Sequence, residues 1–176
     1  MGPTGIGKTD LAFELYDSAN VEIISVDSVQ VYKHLNIGSG KPDKKVLTKY
    51  PHKLIDVIDP HENYSTGKFQ KDCLQEIKNA NSSKKMPLLV GGTMLYFKNL
   101  FHGLSELPES TVEIRQAVEL ECNQKGLEAM HGYLKQIDPL SANNIHPNDS
   151  QRIKRAIEVF RLTNKPLSLW QQKNHR

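Results

Sequence analysis

Gly2-Pro3-Thr4-Gly5-Ile6-Gly7-Lys8-Thr9 opens the chain and satisfies the pattern G-x-x-x-x-G-K-[ST] at every fixed position. Each fixed residue has a physical task. The glycines let backbone N–H groups turn inward around phosphate oxygens, Lys8 brings a mobile positive charge, and the Thr9 hydroxyl can join the coordination shell of a magnesium ion. Directly behind, Leu11, Leu15 and Tyr16 recur at helical spacing, which predicts a helix from about Lys8 to Asp17 with the loop at its N-terminus. A helix start carries orphan N–H donors and partial positive charge, so the stretch reads as an anion site. The plain alternative is a glycine-rich turn that only caps a helix. Loops of this type leave a buried parallel strand, yet only Met1 stands before Gly2, so the first strand is expected to be lacking from this chain.

Working outward, Val21–Val26 reads as a short buried strand ending at Asp27, Lys53–Ile58 as a second closed by Asp59-Pro60, and Met86–Val90 as a third stopped by Gly91-Gly92. Between them, Thr66–Asn81 places Phe69, Cys73, Leu74 and Ile77 on one helical face, and a helix from Thr93 carries Leu95, Tyr96, Leu100 and Phe101. Strands alternating with helices imply a parallel sheet wrapped on both sides, with ligands beyond the carboxyl ends of the strands. Asp27 and Thr93 fall there, beside the phosphate loop. After Leu107 the strand pattern stops. Glu113–Lys125, Gly126–Gln136 and Asp149–Thr163 read as helices, the last with Asn148 or Asp149 as N-cap and Ile153, Ile157 and Phe160 as its apolar stripe. The expected architecture is a P-loop NTPase-like α/β parallel-sheet core over residues 1–107, followed by an all-helical region over 108–176.

At 176 residues with 38% hydrophobic and 24% charged residues, the composition is that of a water-soluble globular chain. No apolar run approaches the roughly 20 residues that span a bilayer, so no membrane association is expected. Cys73 and Cys122 lack metal-ligand spacing and read as free thiols in a reducing cytoplasm. His34, His52, His61 and His102 have no consistent ligand spacing either. The net charge of +3 is unevenly spread. From Gln151 to Arg176 seven basic residues (Arg152, Lys154, Arg155, Arg161, Lys165, Lys173, Arg176) face one acid, Glu158. A basic end on a near-neutral body suggests a nucleic-acid partner, against the bland reading of a solvated helix face.

Three further stretches bear on chemistry. In Ser25-Val26-Asp27-Ser28-Val29-Gln30-Val31-Tyr32, an acid at a strand end across from a phosphate loop either binds magnesium through water, acts as general base on an acceptor, or caps a helix. Gln30 can hydrogen-bond a base edge. In Gly91-Gly92-Thr93-Met94-Leu95-Tyr96, the glycines permit close backbone approach and Thr93 offers a hydroxyl, with a helix cap as the default. In His146-Pro147-Asn148-Asp149-Ser150-Gln151-Arg152-Ile153-Lys154-Arg155, residues Gln151, Arg152 and Arg155 cluster on one helical surface and could grip phosphates of a folded RNA.

With Ile37–Pro42 (IG-x-x-KP) and Pro51–Asp56 (PH-x-LID), these pieces, in this order, resemble the bacterial tRNA dimethylallyltransferases, also called tRNA isopentenyltransferases or IPP transferases. The likeness runs through Gly2–Thr9, Ser25–Tyr32, Gly91–Tyr96 and His146–Ala156, and so covers nearly the whole chain. The resemblance implies transfer of a dimethylallyl group from dimethylallyl diphosphate to the exocyclic N6 amine of the adenosine 3′-adjacent to the anticodon. Gly2, Pro3, Thr4, Gly5, Ile6, Gly7, Lys8 and Thr9 would bind the diphosphate, where nucleotide- or ATP-binding loops hold phosphates. Mg²⁺ would sit at Thr9. Asp27 would act as base, with Lys8, Thr9 and Thr93 assisting catalysis. Asp27, Ser28, Val29, Gln30, Thr93, Arg115, Gln151, Arg152, Ile153, Lys154 and Arg155 would contact the tRNA anticodon stem-loop. The protein is expected to be cytoplasmic and monomeric. Family members run longer, so the chain reads as truncated at both ends.

Two other readings stay open at this level. One is a phosphate-loop kinase of a small metabolite using ATP, disfavoured because residues 1–114 contain no arginine for a closing lid. The other is a noncatalytic RNA-binding fragment.

Overall fold

The computed structural model describes residues 2, 6–103, 107 and 110–172; Pro3, Thr4 and Gly5 of the phosphate loop lie outside the described residues. The chain divides into two compact units, Met1–Gly103 and Leu104–Arg176.

The first unit runs α1 (Lys8–Ser18), β1 (Val21–Val26), α2 (Lys44–Lys49), β2 (His52–Lys53), α3 (Thr66–Ser82), β3 (Met86–Gly91) and α4 (Met94–His102). Its strands form a parallel sheet in the order β2-β1-β3. Strand alternation builds a core on each face. Ile23 of β1, with Leu88 and Val90 of β3, packs with Ala12, Phe13 and Tyr16 of α1 and with Tyr50. Ile24 and Val26, with Leu89, face the opposite way onto Phe69 and Cys73 of α3 and Tyr96 and Phe97 of α4. Phe69 and Tyr96 stack there with ring centroids 4.0 Å apart. Each fully buried Ile or Val on β1 contributes about 1.5–3 kcal/mol, so the central strand anchors both layers. Ser65 caps α3 by accepting from the Lys68 N–H, and Asp43 caps α2, a short helix the sequence pattern did not announce.

Three apolar expectations need correction. Leu11 is 57% exposed, and α1 turns Ala12, Phe13 and Tyr16 inward instead. Leu74 of α3 and Leu95 and Phe101 of α4 are likewise exposed, with Ala80 and Phe97 taking the buried places. The third concerns the run Lys53–Ile58. Only His52–Lys53 pairs as strand. Leu54 and Asp56 then adopt left-handed backbone (φ 64 and 54), which breaks the ladder. The remainder pairs with the segment after β1: Asp56 N–H donates to Gln30 O (3.1 Å), Val57 N–H to Val31 O (2.8 Å), and Lys33 N–H to Ile58 O (2.8 Å).

The second unit is helical: α5 (Val112–Lys125), α6 (Leu127–Ile137), α7 (Pro139–Asn144), α8 (Ser150–Thr163) and α9 (Leu167–Gln172). α5, α6 and α8 fall where periodicity places helices; α7 and α9 are too short to show a period. One core joins Val118, Met130, Leu134, Ala142, Ile153, Ile157, Val159 and Leu167. The stripe on α8 is thus Ile153, Ala156, Ile157 and Val159, with Phe160 only half-buried. Asp149 is the N-cap of α8, accepting from the Arg152 N–H. His146 shapes the turn before it, its Nδ1 accepting from the Asn148 N–H (3.1 Å) and its carbonyl from the Asp149 N–H (2.8 Å).

Candidate functional site

The site of the first unit is built where β1 and β3 end together. Val26 pairs with Gly91, and a Cβ on Gly91 would lie 2.1 Å from the Val26 carbonyl oxygen, so only glycine lets the strands close at this point. The Thr93 N–H then donates to that same oxygen (3.3 Å). A Cβ on Gly92 would lie 3.7 Å from the Gly2 carbonyl, which brings the start of the phosphate loop against the β3–α4 turn. Gly7 closes the loop in left-handed conformation (φ 81) as N-cap of α1 and provides no side-chain cap. Lys8 and Thr9 head the helix, where N–H groups and the helix dipole favour an anion.

Asp27 follows β1 directly, and no helix starts there, so the helix-cap reading fails. Its Oδ1 accepts from the N–H groups of Val29 (2.8 Å) and Gln30 (3.1 Å), a local Asx turn. Its Oδ2 makes no hydrogen bond among the described residues. Thr93 does not cap α4 with its side chain. Its hydroxyl accepts from the Ser28 N–H (3.0 Å) and donates to Ser28 Oγ (3.3 Å), tying the turn of Asp27 to the end of β3. Gln30 is held at both ends of its amide: Nε2 donates to Gly40 O (3.0 Å) and Oε1 accepts from Ser25 Oγ (3.3 Å). Val29 is exposed beside them. The structure therefore joins Asp27, Ser28, Gln30 and Thr93 through direct bonds. Ser25, which holds Gln30, was not singled out from sequence; its signal was a hydroxyl flanked on both sides by aliphatic residues, Ile24 and Val26.

The remaining sequence-predicted positions lie in the helical unit. Gln151 and Arg152 are exposed on the first turn of α8, and Arg115 is exposed on α5. Arg152 is 75% exposed and leans back onto Asp149 (Nη1–Oδ2, 3.0 Å). Lys154 donates to Glu119 of α5 (2.7 Å), which holds its ammonium pKa above the usual lysine value. Arg155 lies 3.6 Å from Glu158. Arg161 pairs with Glu121, whose carboxyl is held below its ordinary pKa by hydrogen bonds from Lys125 and Arg161. The basic surplus counted along the chain is thus partly neutralised by acids of α5, distant in sequence. The Ile153 side chain is fully buried in the helical core, so only its backbone remains for a contact with RNA.

No group of three or more His, Cys, Asp or Glu among the described residues could hold a metal ion. The Thr9 hydroxyl at the head of α1 still fits magnesium of one kind, an ion carried in with diphosphate oxygens and water rather than caged by protein. Burial pushes the Cys73 thiol up to about 11 and lowers the pKa of His52, whose Nδ1 lies 2.6 Å from Tyr50 O. Both groups are structural. Among the described residues no helix is long and apolar enough to cross a membrane.

A parallel sheet with a phosphate loop and an acid at adjoining strand ends defines a P-loop-type α/β protein. The model of the IPP transferase family matches residues 30–176. A tRNA dimethylallyltransferase of Nitrosomonas europaea is 52% identical over 176 residues, covering 99% of this chain and 56% of that protein. One from Psychrobacter sp. is 49% identical over 172 residues, covering 98% and 47%. Among solved structures, a full-length tRNA isopentenylpyrophosphate transferase from Bacillus halodurans is 38% identical (TM-score 0.57; 94% of this chain, 55% of that one). A eukaryotic dimethylallyltransferase acting on tRNA is 31% identical (TM-score 0.77; 96% and 42%). The chain belongs to the IPP transferase family. It spans about half the length of the curated relatives it matches.

Proposed function

We propose that the protein transfers a dimethylallyl group from dimethylallyl diphosphate to the N6 amine of the adenosine 3′-adjacent to the anticodon of tRNAs. The observation that carries this reading is Asp27: one oxygen locked by backbone N–H groups, the other without a protein partner among the described residues, at the strand ends that also hold the phosphate loop. Family membership and the tRNA named for the solved eukaryotic relative support the acceptor.

In this reading Gly2–Thr9 hold the diphosphate, with Lys8 and the N-terminus of α1 meeting its charge. Thr9 would hold Mg²⁺ together with the diphosphate, and the ion would supply further neutralisation of the charge on the departing pyrophosphate. The target adenosine leaves its stack to reach the site. Its N6 lone pair forms a bond to the allylic carbon as the carbon–oxygen bond breaks and pyrophosphate departs with those electrons. The N6 proton passes to Asp27 Oδ2. Ser28 and Thr93 hold the turn in place, and Gln30, with one amide hydrogen already committed to Gly40, keeps a second for a base. Arg115, Gln151, Arg152, Lys154 and Arg155 contact tRNA from the helical unit. Two free thiols support a reducing, cytoplasmic setting.

The test incubates the complete gene product with labelled dimethylallyl diphosphate or labelled ATP, with and without tRNA. Label moving from the allyl donor into tRNA is the expected result. ATP consumption with a small acceptor would overturn it in favour of a kinase, and RNA retention without transfer in favour of a noncatalytic binder.

A further inference from the structure

Two sequence motifs, Ile37–Pro42 and Pro51–Asp56, take no part in the reaction outlined above, and the structure joins them. The Lys41 side chain is only 3% exposed, and its ammonium donates to Tyr32 O (2.7 Å), Asn36 Oδ1 (3.3 Å) and Asp56 Oδ1 (2.6 Å). An ammonium has three hydrogens to donate, and all three are used. The partners come from three separate stretches: the end of the Asp27–Tyr32 segment, the loop that follows it, and the left-handed corner after β2.

This corner is itself bonded to the segment that carries Asp27. Asp56 N–H donates to Gln30 O, and Val57 N–H donates to Val31 O. The loop of Lys41 also holds Gln30 from the other side, through Gly40 O. Gln30 is thus clamped by backbone on the Asp56 side and by its amide on the Gly40 side, with Lys41 bonding the two sides together. The Gln30 N–H is one of the two donors that fix Asp27 Oδ1. A chain of bonds therefore leads from the Lys41 ammonium through Asp56 and Gln30 to the Asp27 carboxylate.

We propose that Lys41 is a positioning residue: its buried ammonium locks the Ile37–Pro42 loop and the Asp56 corner around Gln30, and thereby fixes the direction of the Asp27 carboxylate. The inference rests on the proposed reaction for its consequence in catalysis, but the lock is a property of the chain by itself. A cavity of about 580 Å³ flanks it, bordered by Lys33, His34, Lys44 and Asp56. Asp56 is already 43% exposed, so removing the ammonium leaves its carboxylate able to turn to water rather than stranded in a core. Lys41→Met, of similar length and without charge, is accordingly expected to fold.

The experiment compares the unaltered complete gene product with Lys41→Met and Lys41→Arg. It follows kcat, KM for dimethylallyl diphosphate, melting temperature, and amide hydrogen exchange across the α/β unit, with residues 28–41 and 54–58 compared against the rest. Misdirecting a reacting group by about 1 Å costs on the order of 100-fold in rate, and a kcat loss of that size is expected for Lys41→Met. KM for the allyl diphosphate should stay unchanged, because the phosphate loop binds it, and exchange should quicken within residues 28–41 and the bonded corner 54–58 but not elsewhere in the α/β unit. Lys41→Arg should recover most of the loss. Unaltered kcat and exchange in Lys41→Met would overturn the proposal. So would a loss that tracks melting temperature with faster exchange throughout the α/β unit, since that is a purely structural role. Should the unaltered protein fail to alkylate tRNA, the proposed reaction falls, while the exchange measurement still decides the lock.

Discussion

Asp27 in the α/β unit and Asp138 in the helical unit use the same local device, a carboxylate that accepts backbone N–H groups a few residues ahead, and they differ in how many of their oxygens the fold occupies. Asp138 is buried and spends both oxygens on the fold: Oδ1 accepts from Ser141 N–H (3.0 Å), and Oδ2 from Ser141 Oγ (2.6 Å) and Ser168 N–H (3.0 Å). It caps α7 and ties down the start of α9. Burial alone would raise its pKa, but the hydrogen bonds from Ser141 and Ser168 outweigh burial and hold the carboxyl below its ordinary value. Asp27 commits one oxygen to its turn and keeps the other clear of protein partners among the described residues. Asp138 is saturated and holds structure; Asp27 is half-saturated at a strand end, and the proposal that it serves as the base rests on that open oxygen.

The largest expected effect tests that contrast at Asp27. Asp27→Asn retains an acceptor for Val29 and Gln30 but cannot take a proton, and a lost general base lowers kcat by about 10²–10⁴-fold. Asp27→Ala should abolish measurable transfer while tRNA binding, read by filter retention, stays largely intact. Normal turnover in either variant would remove Asp27 from the role of base.

Next in size is stability at the partner residue. Asp138→Ala removes a helix cap and strands donors of Ser141 and Ser168, a loss of about 3 kcal/mol in denaturant unfolding with little change in the intrinsic rate of correctly folded enzyme. A loss below about 0.5 kcal/mol would mean water replaces the carboxylate freely, against the cost expected for buried unsatisfied donors. The pH dependence sharpens this. Because the folded pKa is depressed, the stabilisation is complete above the unfolded value of about 4 and fades as pH falls through the folded value. The stability gap between wild type and Asp138→Asn should therefore narrow below about pH 4, and a gap constant down to pH 2 would contradict the assignment.

The smallest effect concerns the surface of α8. Arg152→Ala and Arg155→Ala should each weaken tRNA binding and reduce the salt slope of affinity by about 1. Both guanidinium groups lie near acids of their own helix region, Asp149 and Glu158, so RNA must compete with those pairs. An unchanged slope would mark this face as merely solvated.

Much of the α/β unit could be read directly because its signals are local. Val21–Val26 carries four aliphatic residues within the length of a strand, and Met86–Gly91 ends at glycines whose need is visible as the 2.1 Å clash at Gly91. The Lys53–Ile58 run misled because alternating and continuous apolar residues suit a buried corner as well as a strand; left-handed backbone at Leu54 and Asp56 leaves no mark in composition. Leu11 misled for another reason. Spacing fixes which residues share a helix face but not which neighbouring face meets the sheet. The charge count on α8 could not show that Glu119 and Glu121 offset Lys154 and Arg161, because those acids reach them only through helix packing.

The sequence by itself determined the phosphate loop at a helix start, the acid at the end of β1, the alternation of strand and helix, and the family, since all are set by residues adjacent along the chain. Tertiary structure alone decided that Thr93 bonds Ser28 instead of capping α4, that Gln30 is clamped from two sides, and that Lys41 closes on Asp56. Those bonds join residues 10 to 65 positions apart, and hydrogen bonds across such separations depend on packing that no local pattern encodes.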